Sequence, residues 1–151
     1  MNAIVLFFIS LFICALGIGP ALWRLGNGLA TRKVGIVGSA DAYLSLKGTL
    51  IDSGLFWDKN VSQVPLDNFE KVKDFTVVLV DWGSCASSVE EIFGARKNQQ
   101  TAIIIHAKPG EIPKEIMDDI ANRPNTVVVN FRGRLLNDIL TSLMTTSYEK
   151  K

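Results

Sequence analysis

Three observations predict a doubly wound α/β domain built on a parallel sheet. Short runs of Val, Ile and Leu recur along residues 33–145. They lack the apolar–polar alternation of a half-exposed strand, and helix-like stretches separate them. Five β units alternating with helices imply a flavodoxin-like sheet of order 2-1-3-4-5 with helices on its faces.

A single apolar helix precedes that domain. Residues 3–23 hold no charged side chain across 21 positions. At about 1.5 Å per residue such a helix covers roughly the 30 Å hydrocarbon core of a bilayer. A cleaved signal peptide fits less well, because no basic residue precedes the run and no small-residue cleavage pattern follows it. A buried core helix would carry a polar face, and this stretch has none. The expected organisation is a transmembrane anchor at 1–24, a juxtamembrane linker at 25–32 and a cytosolic domain at 33–147, with a tail at 148–151. Within the linker, Gly26, Asn27 and Gly28 predict a break in the helix. Arg24, Arg32 and Lys33 follow the span, so the positive-inside rule puts the N-terminus outside and the domain in the cytoplasm. Gly17, Gly19 and Pro20, with Ser10 and Cys14 earlier, offer small residues for helix–helix approach. The expected partners are thus the lipid bilayer, a second copy through the span and domain faces, or another membrane protein.

Strands are expected at 33–38, Val61–Val64, 76–80, 101–106 and Thr126–Val129. The helix at 40–53 should stop at Gly54. The one at 87–97 opens on Ser and carries Glu90 and Glu91 early, which suits the helix dipole. Pro113 starts a helix at 112–122, and an amphipathic one covers 133–145.

Composition excludes some functions. The chain nets +1 with no basic run, which gives no support to nucleic-acid binding. Cys14 lies in the span and Cys85 is alone in the domain, so no disulfide forms within the domain. No His/Cys spacing suits a metal. His106, the sole histidine, ends an apolar strand and reads as a hydrogen-bonded strand-end residue.

In a doubly wound sheet the ligand crevice lies beyond the carboxyl ends of the strands. That edge holds Gly38-Ser39-Ala40-Asp41, Asp81-Trp82-Gly83-Ser84, His106-Ala107-Lys108 and Asn130-Phe131-Arg132. Gly38 and Ser39 head a helix whose N-terminus could hold an anion, or Ser39 or Asp41 simply caps it. Arg132 and Arg134 sit at a helix start, where cations oppose the dipole. They suit an anionic ligand, an acidic partner surface or lipid headgroups.

Asp81 ends the third strand, the position of the phosphorylated Asp in response-regulator receivers, which the segment resembles. Receivers also need an acidic pair after the first strand to hold Mg²⁺, and Gly38-Ser39 occupies that place. Residues 75–107, FTVVLVDWGSCASSVEEIFGARKNQQTAIIIHA, together with KVGIVGSADAYLSLKGTLIDSGLF earlier, resemble Toll/interleukin-1 receptor (TIR) domains and the related nucleoside deoxyribosyltransferases. The deoxyribosyltransferase E-I-G-x-A helix is matched by Glu91-Ile92-Phe93-Gly94-Ala95, with Phe93 in place of the Gly.

That resemblance implies a carboxylate acting at the anomeric carbon of an N-glycosidic bond, where it stabilises an oxocarbenium-like transition state. Glu91 would be the catalytic residue, with Glu90 the alternative register. Ser84 and Ser87 would line the ribose, Asp41 and Asp81 would contact sugar hydroxyls, and the base would stack on Trp82 or Phe131. NAD or a nucleotide is the implied ligand.

Three functions follow as expectations. The first is a membrane-anchored signalling or assembly module. The second is an NAD- or nucleotide-cleaving defence effector using Glu91. The third is a nucleotide sensor that signals through its span.

Overall fold

The computed structural model describes residues 3–98 and 101–145, and the chain divides into two units that meet between Thr31 and Arg32. The tail expected at 148–151 lies outside the described residues, as do the side chains of Arg24 and Asn27.

The first unit is one helix, α1 (Ala3–Thr31), of 29 residues with Pro20 inside it. It runs on through Gly26, Asn27 and Gly28, where a break was expected. Extending an existing helix needs no new nucleus, and each glycine costs only about 1 kcal/mol. Side chains are described without a gap over residues 3–12. Among the described residues, no helix is long and apolar enough to cross a membrane.

The second unit is the expected α/β domain. Its elements are β1 (Val34–Val37), α2 (Ala40–Asp52), β2 (Val61–Val64), a 3₁₀ segment (Phe69–Asp74), β3 (Val77–Asp81), α3 (Trp82–Cys85), α4 (Val89–Ala95), β4 (Ala102–His106), α5 (Lys114–Ala121), β5 (Thr126–Val129) and α6 (Arg132–Thr145). The five strands are all parallel in the order β2-β1-β3-β4-β5. Val34 lies beside Val61 on one side and Val77 on the other, so β1 and β3 flank the point where the winding reverses.

Burial explains the sequence pattern. Residues 77–80 of β3 and 102–105 of β4 are buried without exception, as strands covered on both faces should be. Val78, Val80, Ile103 and Ile105 join one cluster with Trp82, Ile92, Phe93 and Ile120, which builds the face covered by the 3₁₀ segment, α4 and α5. Alternate residues such as Leu79 and Ile104 turn the other way, where α2 packs on β1 and α6 on β3–β5. Leu46 and Leu50 of α2 and Leu135, Ile139 and Leu143 of α6 are fully buried there. Arg32 donates to the carbonyl of Leu143, which ties the start of the domain to the last turns of α6. Gly54, at φ +71°, ends α2 in the left-handed conformation that glycine adopts without strain.

The helix expected at 87–97 is shorter. Residues Ala86–Ser88 form a 3₁₀ turn, and α4 ends at Ala95 because Arg96 is extended.

Candidate functional site

Two acidic sites lie on the α/β domain: the crevice at the carboxyl edge of the sheet and a groove on its flank.

The crevice is organised by Asp81. Gly38 at the end of β1 allows the close approach: a Cβ there would meet that of Asp81 at 3.0 Å and that of Ala42 at 3.3 Å. The Ser84 hydroxyl donates to Asp81 Oδ2 at 2.6 Å. His106 Nδ1 stands 3.6 Å from Asp81 Oδ1, too far for a hydrogen bond. Nδ1 is buried and has no hydrogen-bond partner among the described residues, so the expectation of a hydrogen-bonded strand-end histidine is not met at that atom.

Asp81 therefore stands between the serine and the histidine. A nucleophilic serine needs the reverse, with histidine in the middle taking its proton. Burial pushes the Cys85 thiol up to about 11, and the nearby Asp81 carboxylate adds to the effect. That thiol stays protonated at neutral pH and is a poor nucleophile.

Glu111 completes this edge, and sequence reading missed it. Its Oε2 accepts from the Lys108 N–H at 2.8 Å, and its Oε1 would lie 3.3 Å from a Cβ on Gly83. The Pro109-Gly110 turn was the available signal, because it folds Glu111 back over Lys108.

The other expected crevice residues are dispersed. Ser39 caps α2 by accepting from the Ala42 N–H at 3.3 Å, and Asp41 is exposed in the first turn of that helix. Trp82 is 5% exposed and belongs to the core cluster, so its ring presents no free stacking face. Ser87 is exposed on the turn before α4. Asn130, Phe131, Arg132 and Arg134 are exposed at the start of α6, with Phe131 at 63%. Among the described residues no cluster of three or more His, Cys, Asp or Glu is arranged to hold a metal ion.

The groove lies between the 3₁₀ segment and α4, with a volume of ≈ 350 Å³. One wall carries Asp67, Asn68, Phe69 and Glu70, and the other Glu91, Gly94 and Ala95. Glu70 is engaged by Lys73 at 2.6 Å, a hydrogen bond that holds its carboxyl below the ordinary range. Asp67 and Glu91 have no ionic partner among the described residues. None of the Asp81 crevice residues lines this groove, so Glu91 and the Asp81–Ser84 pair do not share a cavity.

Glu90 points elsewhere. Its carboxylate accepts from Arg123 at 2.8 and 2.9 Å, and Arg123 also binds Asp119 at 2.6 Å. The same guanidinium lies 4.2 Å from the Phe93 ring centre. Burial works against the charge on Arg123, and the hydrogen bonds to Asp119 and Glu90 outweigh it, raising its pKa. Glu90 is thus a structural clamp between α4 and α5.

No family model matches the sequence, and no curated protein matches it.

Proposed function

We propose that the chain is a single-pass, membrane-anchored signalling or assembly module. Residues 3–23 span the bilayer with the N-terminus outside, and the α/β domain is a cytosolic TIR-like or receiver-like unit. It assembles through its span and domain faces and takes a nucleotide or another anionic ligand at the carboxyl edge of the sheet, beside Gly38 and Ser39. The observation that carries this reading is α1. Its helix is continuous over Ala3–Thr31, and Phe7, Phe8, Leu11, Phe12 and Leu16 are exposed around it. A helix apolar on every side leaves an exposed patch far larger than a monomer keeps in water, and lipid is its natural cover. The test is alkaline carbonate extraction of membranes, followed by protease treatment of sealed vesicles. Retention in the pellet and protection of the domain inside are expected. Release into the supernatant would overturn the anchor.

A second reading rests on the groove. Glu91 is an unpaired, accessible carboxylate beside Asp67 and Asn68. That environment is compatible with an N-glycoside-cleaving effector acting on NAD or a nucleotide. Incubating the detergent-solubilised chain with NAD and nucleotides tests it: turnover abolished by Glu91→Ala supports the enzyme, and absence of turnover removes it.

A further inference from the structure

The same groove, compared with the start of α6, says how the domains meet. Resting on the reading that this is an assembly module, we propose that copies associate head to tail. The Phe131–Arg132–Arg134 corner of one domain seats in the Asp67/Glu91 groove of the next.

Charge is the first reason. Arg132 and Arg134 are exposed and have no acidic partner among the described residues. The first turn of α6 contains no acidic residue, and the positive end of the helix adds to the same field. Asp67 and Glu91 form the opposite case: two unpaired carboxylates facing one cavity of ≈ 350 Å³. Each surface lacks what the other offers.

Shape is the second. The corner projects Phe131, an exposed aromatic of the kind that anchors interfaces. The groove has an apolar floor in Phe69 and Ala95, and nothing stands within 4 Å of a Cβ placed on Gly94. A ring and a guanidinium can enter together, apolar against apolar and cation against carboxylate.

Placement is the third. The groove lies on the sheet face covered by α4, and the corner follows the edge strand β5 and leads into α6 on the other face. Within one copy the two surfaces do not meet. A contact between unlike surfaces is heterologous, so it propagates into rings or filaments instead of stopping at a dimer. Confinement of anchored copies to one membrane raises their effective concentration, so a weak contact suffices.

The test uses the full chain in detergent micelles, with mass followed by sedimentation against concentration and salt. Wild-type mass should rise with concentration and fall as salt is added. Arg132→Glu/Arg134→Glu removes the corner, and acids at that helix start favour the dipole, so folding is retained. Gly94→Leu fills the groove from a position with open space and improves helix propensity. Each variant alone should stop at the mass that association through its span sets, and unchanged circular dichroism confirms that it is folded. Mixed together, the two variants retain one intact surface each, and their mass should rise at least about twofold above either alone. Growth of either variant like wild type, or a mixture that stays at the separate masses, overturns the proposal. Membrane retention of both variants reports on the anchor separately, so loss of anchoring and loss of head-to-tail contact are read independently.

Discussion

The Asp81 crevice and the Asp67/Glu91 groove are both lined by carboxylates, and they differ in what answers those carboxylates. In the crevice, Asp81 is met by Ser84 from three residues on, with His106 at its back. In the groove, Asp67 and Glu91 face solvent across a gap. The carboxyl edge of a doubly wound sheet is the expected binding position. Here the protein's own side chains already occupy much of its polar capacity, and a ligand there must displace them. The flank has unspent charge.

The largest expected effect concerns the two aromatics that the sequence places at the carboxyl edge. Trp82 belongs to the core and Phe131 to the surface. Trp82→Ala should lose about 3–5 kcal/mol of unfolding free energy in a denaturant titration. Phe131→Ala should stay within about 0.5 kcal/mol. Similar losses for both would erase the distinction between a closed crevice and an open surface.

Next in size is a pH effect from Cys85. Its folded pKa is raised to about 11. A raised value favours the protonated form in the folded state, so the contribution is complete below the ordinary thiol pKa. It is lost as pH climbs towards 11, and the loss amounts to roughly 2 kcal/mol. Comparing the stability of wild type and Cys85→Ala between pH 8 and 11 isolates it. A constant difference across that range would mean that the thiol is not desolvated.

Much of this architecture is legible in the sequence, and what is not has a common cause. The five strands, the stop at Gly54 and the Ser39 cap follow from local signals: β-branched runs, a glycine, a hydroxyl before a helix. The strand order follows from the alternation of strands with helices. The inward turn of Trp82 does not, because it depends on β3 passing directly into the short helix α3. The Ser84–Asp81 bond needs that same turn, which brings residues three apart together. The groove is less legible still, because Asp67 and Glu91 are 24 positions apart and meet only when α4 packs on the 3₁₀ segment. Glu90 and Glu91 are equivalent in sequence, two acids in one first turn, and only the fold separates them.

Asp81→Ala probes the crevice itself. It leaves the Ser84 hydroxyl without its acceptor and should cost about 1–2 kcal/mol, read by thermal or denaturant unfolding. A neutral result would show that the cluster is solvated and open, like the groove.

The smallest effect separates Glu90 from Glu91. Glu90 joins Arg123, which also holds Asp119 and lies against Phe93. The Glu90 carboxylate is 72% exposed, so solvent screening limits the pair to about 0.5–1 kcal/mol. Glu91 touches none of these groups, and Glu91→Ala should change stability by less than about 0.5 kcal/mol. A double-mutant cycle with Arg123→Ala makes the contrast sharp, because it cancels the helix-dipole contribution that the two acids share. Coupling should be measurable for Glu90 and absent for Glu91. Coupling of Glu91 to Arg123 would mean that its carboxylate turns towards α5, away from the groove. It would then be unavailable both to an arginine from a neighbouring copy and to a bound glycoside.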